Sequence, residues 1–317
     1  MEPDVWQRHR WINAMQSLLL LASMAAMLSA LGYVVAGSVG VLWALGGGAA
    51  LVAFNPGLSP GLVLRLYGAR AVGPRAAPDL HHVLSVLAER AGLERPPALF
   101  HVPSRMLNAF AVGSRDSCAI AVTDGLLRTL APREVIGVLA HEVSHVRHND
   151  MWIMGLADLL SRLTSLFATA GQLLVLVNLP LMLLGTVAVS WWVVLVLVLA
   201  PLVTGLMQLA LSRTREYDAD LGAVALTGDP RGLASALARM ERYQGRFVEQ
   251  ILFPGRRVPD PSLLRTHPPT EERVRRLLAL ESSPVPALEA RGVDPRAGLA
   301  HPPVARRPRW HAHGIWY

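Results

Sequence analysis

Between residues 11 and 64 the chain carries no Asp, Glu, Lys or Arg, and a second such run extends from 163 to 212. Each run is long enough for two helical passes of about 20 residues through a hydrocarbon layer roughly 30 Å thick. The first has Gly32, Gly37, Ser38 and Gly40 near its middle and the second has Asn178, Leu179 and Pro180, so each is expected to turn there. Arg8 and Arg10 precede the first run, Arg65, Arg70 and Arg75 follow it, and Arg213 and Arg215 follow the second. Positively charged flanks stay on the cytoplasmic side, so both termini and the segment between the runs are expected there, with the chain in the cell inner (plasma) membrane. No small-x-small cleavage site separates the first apolar run from a polar mature sequence, which argues against a signal peptide. Asp158 and Arg162, four apart at the start of the third span, read as an interfacial ion pair.

Composition agrees with this division. The chain is 52% hydrophobic with a mean hydropathy of +0.36, too apolar for an ordinary soluble protein of 317 residues. All of its basic side chains are arginines, clustered beside the apolar runs and in the tail without interleaved aromatics. That pattern fits contact with the lipid bilayer's headgroups and gives no nucleic-acid site. The lone Cys118 cannot form an internal disulfide, which fits a reducing compartment.

Chemistry concentrates at His141-Glu142-Val143-Ser144-His145, an H-E-x-x-H inside an apolar helical pattern. Residues four apart share a helix face, so His141 and His145 can hold one metal while Glu142 lies beside a water on it. The alternative is a surface helix with two solvated histidines. Ile136, Val138, Leu139, Val143 and Val146 oppose it, because they bury the helix and two unpartnered buried imidazoles are costly.

Upstream, 74–78 reads as a linker and 79–91 as an amphipathic helix whose His81 and His82 are solvated and not ligands. Residues 98–102, 108–112 and 118–123 read as short strands, the last two a hairpin. An edge strand beside a metal helix can bind an extended peptide through its main chain. The other reading is that these strands only pack the helix. A third ligand is sought downstream, where Glu216 and Asp220 lie four apart at a helix start just after the second apolar run. Glu216 would complete a His2Glu set and Asp220 would orient a liganding imidazole. A solvated acidic helix end remains open at this point.

Taken with Asn108-Ala109-Phe110-Ala111, Val122-Thr123-Asp124-Gly125-Leu126-Leu127, Asp150, 212–220 and Thr266-His267-Pro268-Pro269-Thr270-Glu271-Glu272-Arg273, the chain resembles the HtpX-type membrane zinc metallopeptidases, bacterial relatives of the CAAX prenyl proteases. The resemblance runs from the first span to about residue 281. It implies that His141, His145 and Glu216 bind one zinc ion per chain and that Glu142 is the catalytic base. It further implies that Asn108, Ala109, Phe110 and Ala111 pair with substrate backbone, and that His267 approaches the reacting carbonyl. The same proline-rich stretch at 268–269 also serves to start a helix.

The expected architecture is a mainly α integral membrane protein with four transmembrane helices and a cytoplasmic α+β zincin-like catalytic domain containing a small β-sheet. Its parts would be a cytoplasmic N-terminus at 1–10, spans within 11–64 and 151–212, catalytic parts at 65–150 and 213–283, and a flexible Pro- and Arg-rich tail at 284–317. The expected function is zinc-dependent cleavage of unfolded or membrane proteins, as in the family's quality control of damaged ones. Two alternatives stand beside it: prenyl-protein processing, for which four spans are few, and a zinc-binding scaffold without catalysis, which would have no need of Glu142.

Overall fold

In the computed structural model, the described residues are 3–54, 60–186, 190–252, 269–280, 288 and 293–294. The chain divides into two compact units, one of Met1–Gln7, Leu58–Met151 and Glu216–Tyr317, the other of Arg8–Gly57 and Trp152–Arg215.

The second unit is built from apolar helices. Among the described residues, three helices are long and apolar enough to cross a membrane: α1 (Pro3–Phe54), α6 (Asp150–Leu183) and α7 (Trp191–Thr227). Their outward side chains are large and apolar, with Val177 74% and Leu183 80% exposed. Water is a poor solvent for such a surface. The first helix is broken at Ala36 (φ −146°, ψ 26°) and Gly37 (φ 60°, ψ −145°), a conformation open to glycine at position 37. A Cβ built on Gly32 would lie 2.6 Å from the Gly40 carbonyl oxygen, although eight residues of straight helix would hold these glycines about 12 Å apart. The chain therefore folds back at Gly37, and Met24 and Ala44 bury in one cluster with Ala157, Leu160 and Leu211. Residues 60–64, at the end of the first uncharged run, belong elsewhere: they open the short α2 (Pro60–Leu66), whose Leu64 packs under the β-sheet with Val102, Ala119 and Ala121.

The first unit is α+β. Its sheet contains β1 (Arg70–Ala71), β2 (Ala98–Val102), β3 (Ala109–Gly113) and β4 (Cys118–Thr123) in the order β1-β2-β4-β3. The two predicted hairpin strands pair antiparallel, Ala109 with Val122 and Ala111 with Ile120, while β2 runs parallel to β4. Strand β3 therefore lies at an edge. Alternation sends Ala109, Val122 and Ile120 into the main core, and Phe110 and Val112 toward α2, where Phe110 meets the Tyr67 ring at 4.7 Å.

The main core is closed by helices with clear local signals. Helix α3 (Pro78–Ala91) begins on a proline and ends at Gly92, whose left-handed φ of 67° lets backbone N–H groups return to the last carbonyls. Thr123 caps α4 (Asp124–Thr129) by accepting from the Leu126 N–H. Helix α5 (Pro132–Arg147) starts on Pro132, with Glu134 accepting the Ala131 N–H at 2.8 Å. Helices α8 (Pro230–Leu252) and α9 (Thr270–Leu278) complete the core, and Leu288 and Val293 from the tail pack against it.

Candidate active site

Two successive turns of α5 supply the first side chains. His141 and His145 point their Nε2 atoms at one another, 3.1 Å apart. The last three turns of α7 bring up the third donor, with Glu216 Oε2 at 3.5 Å from His141 Nε2 and Glu216 Oε1 at 4.0 Å from His145 Nε2. Gly222 makes this approach possible: a Cβ there would lie 1.9 Å from Ser144 Oγ on α5. All three donor groups lie within 4.8 Å of one another.

Behind each imidazole stands a carboxylate. His145 Nδ1–H donates to Asp150 Oδ2 at 2.7 Å, and His141 Nδ1 faces Asp220 Oδ1 at 3.1 Å. An ionised carboxylate only accepts, so His145 Nδ1 carries the proton and its Nε2 presents a lone pair toward His141 Nε2. Two imidazole nitrogens facing at 3.1 Å call for a proton or a metal cation between them. A tetrahedral metal with bonds of about 2.0–2.1 Å has donor–donor edges of about 3.3 Å, close to the two shorter separations here. The donors fit a divalent metal such as zinc.

The electrostatics point the same way. Burial disfavours the protonated His141, yet Asp220 and Glu216 beside it outweigh that and push its pKa up to about 10. The pocket calls for positive charge. Arg273 of α9 answers part of it from the other side, its Nε and Nη2 donating to Asp220 at 2.8 and 2.6 Å and its Nη1 lying 2.9 Å from Glu216 Oε2. That guanidinium is buried; desolvation opposes its charge, but Asp220 and Glu216 hold it more firmly protonated than a free arginine.

Glu142 lies beside the donors. Its Oε2 accepts the Ala111 N–H of β3 at 3.1 Å. Burial raises its pKa above the ordinary carboxylate value, against the pull of His145 and His141. Because the Ala111 N–H turns toward α5, Phe110 and Val112 bond to β4 while Ala109 and Ala111 turn their main-chain groups outward along the free edge. The Asn108 carbonyl instead faces β4, accepting from the Thr123 N–H at 3.0 Å.

Of the residues singled out in the sequence, the structure thus gathers His141, Glu142, His145, Glu216, Asp220 and Ala111 at one place. His267 lies outside the described residues. His81, read as solvated, bonds the Val72 carbonyl oxygen at 2.8 Å through Nε2. Asp150 and Arg273 stand in the sequence only as members of motifs, without roles. Asp150 follows a helix stop at His148-Asn149, a signal for a turn; Arg273 is 53 residues beyond its partner Asp220, and no local period reveals such a pair.

The chain is similar to known peptidases over most of its length. The profile of Peptidase family M48 matches residues 74–281. A "Protease HtpX homolog" of Pyrococcus furiosus is 36% identical over 281 residues, covering 82% of this chain and 93% of the relative. One of Methylibium petroleiphilum is 35% identical over 288 residues, covering 84% and 98%. Among solved structures, S. mikatae Ste24p aligns with a TM-score of 0.46 at 20% identity, over 84% of this chain and 65% of that one.

Proposed function

The chain belongs to peptidase family M48, and from that premise we propose that it is a zinc-dependent membrane endopeptidase of the HExxH-plus-Glu kind. The observation that carries this is the convergence of His141, His145 and Glu216 donor atoms within 4.8 Å, with the Glu142 carboxylate beside them.

His141, His145 and Glu216 would hold one zinc ion per chain, which would supply Lewis acidity to a peptide carbonyl and acidity to a water. Glu142 takes the proton from that water as its oxygen bonds to the carbonyl carbon, then delivers it to the departing amine as the C–N bond breaks. Burial suits Glu142 to this task, because a carboxylate short of solvent gains most from accepting a proton. The outward groups of Ala109 and the outward Ala111 carbonyl pair with an extended segment of substrate main chain, which demands backbone and no particular side chains. Unfolded or damaged membrane proteins fit that requirement, and quality control is the corresponding role. His267 would stabilise the developing oxyanion.

In the bilayer we count four passes, because α1 folds back at Gly37. The arginines flanking each pair of passes favour a cytoplasmic site and cytoplasmic termini, in the cell inner membrane. The test uses the full chain in detergent, stripped with a chelator and then given zinc, with casein as the unfolded substrate. Cleavage should vanish on stripping and return with zinc. Stoichiometric zinc binding without cleavage of casein or of any detergent-unfolded membrane protein would overturn the peptidase reading and favour the scaffold.

A further inference from the structure

Resting on the metal-centre reading above, we infer that Asp150 is the positioning residue of His145, and that the turn at Asn149 exists to deliver it. Asp150 is the first residue of α6, a 34-residue helix. A carboxylate at that place ordinarily serves its own helix, accepting N–H groups of the first turn and complementing the positive end of the dipole. Here it is 3% exposed and reaches back 2.7 Å to the Nδ1–H of a ligand on the preceding helix.

The backbone between the two helices has one feature that serves this contact. Asn149 has φ 56°, and among the described residues it is the non-glycine residue with positive φ. Asparagine tolerates this left-handed conformation better than most side chains. Had α5 continued as a helix, at about 100° per residue, residue 150 would lie about 140° around the axis from residue 145, away from the imidazole. Instead α5 stops at Arg147, the His148 N–H returns to the Ser144 carbonyl, the Asn149 N–H returns to Val146, and the chain reverses toward His145.

Asp150 thereby fixes which nitrogen of His145 holds the proton and which way the ring faces. With Nδ1–H engaged, Nε2 is left as a lone-pair donor at the point it shares with His141 Nε2. Released from Asp150, the ring is free to rotate or to exchange tautomers, and it then offers an N–H to the metal position. Asp150 acts through His145 and touches no substrate. Its counterpart beside His141 is Asp220, 3.1 Å from Nδ1, which comes from the helix that carries Glu216 and not from the one that follows the ligand.

Two variants separate this role from that of a helix start. Asp150→Ser keeps an oxygen able to cap α6 but is too short to reach Nδ1, and Asp150→Asn keeps an acceptor at the right distance without the charge. Full-length chains in detergent would be compared by zinc affinity in chelator competition, by the visible spectrum with cobalt(II) in place of zinc, and by thermal unfolding without metal. D150S should bind zinc about 10–100-fold more weakly, with an altered cobalt spectrum and a fall in metal-free stability smaller than the loss of zinc-binding free energy. D150N should recover part of the affinity. Asn149→Gly, which adopts the same φ without strain, should bind as wild type does. Wild-type zinc affinity and cobalt spectrum in D150S would overturn the inference. So would an affinity loss matched by an equal fall in metal-free stability, which marks a merely structural residue. If the wild type itself binds neither zinc nor cobalt, the metal-centre reading has failed, a result that no difference between variants can mimic.

Discussion

The two units of this chain solve opposite solvation problems. In the α+β unit the large apolar side chains are inside, and Glu134, Asp150, Glu216, Asp220 and Arg273 are buried with them. Each has a polar or oppositely charged partner beside it: Ser235 for Glu134, His145 for Asp150, and Arg273 for Glu216 and Asp220. In the helical unit the apolar side chains Leu176, Val177 and Leu183 face outward, and the inside is apolar as well: Met24, Leu28, Leu31, Ala157 and Ala168 are fully covered. Burying a charge is costly in either place. The first unit accepts that cost around the cluster of His141, His145 and Glu216, and the second has few charged side chains, of which Arg215 is buried.

That contrast can be broken at named positions. The largest effect is expected from Arg273→Met, which leaves Asp220 and Glu216 as buried carboxylates without their guanidinium. Removing one partner of such a pair costs about 3–5 kcal/mol, measurable by chemical denaturation of the metal-free chain. Next, a single substitution type should behave oppositely in the two units. Leu176→Arg places a charge on a 62% exposed position of α6 and should cost about 2.5–3.5 kcal/mol in a membrane-insertion assay. Leu278→Arg, on a 41% exposed position of α9, should change stability by no more than about 0.5 kcal/mol. Equal tolerance of both would mean that α6 does not face lipid.

A smaller loss is expected from Gly222→Ala. The added carbon meets Ser144 Oγ at 1.9 Å and Ser144 Cβ at 2.9 Å, so α7 must back away from α5 and take Glu216 with it. Overpacking of this kind costs about 1–3 kcal/mol, and zinc affinity should fall in parallel. The smallest effect belongs to the rim of the α+β unit, where Arg133 pairs with Asp229, the carboxylate that also accepts the Gly232 N–H at the start of α8. Asp229→Asn keeps the cap and removes the ion pair, a loss of about 0.2–1 kcal/mol for so exposed a pair. Burial raises the Asp229 pKa, but Arg133 and the Gly232 N–H outweigh it and hold the folded value below the ordinary one. The stabilisation is therefore complete above the unfolded carboxylate pKa of about 3.9 and fades as pH falls through the folded value. Melting curves of wild type and D229N should converge there.

Local periods made much of this molecule legible. Alternation gave β2 and β4 to the residue and β3 within one, and the i, i+4 spacing placed His141 with His145 and Glu216 with Asp220 on their helix faces. Residues 60–64 were misleading, because an uncharged run does not distinguish a segment for lipid from one that packs under a sheet, as Leu64 does. Strand β1 is two residues long, too short for any period. Arg273 and Asp150 escaped for different reasons. The first acts across 53 residues of sequence, and the second acts backward over a helix end, where its meaning depends on the sign of φ at Asn149. Polar side chains with distant partners carry no pattern of their own.

The most direct measurement compares wild type with Glu142→Gln, both purified in detergent, stripped, and reloaded with zinc. Zinc stoichiometry and affinity would be read beside the rate of casein cleavage. The substitution retains the size of the side chain and leaves His141, His145 and Glu216 in place, so both proteins should bind one zinc ion. The variant should cut more slowly by about 10²–10⁴-fold, the usual worth of a general base. A Glu142→Gln protein that binds zinc and cleaves at the wild-type rate would contradict the mechanism outright.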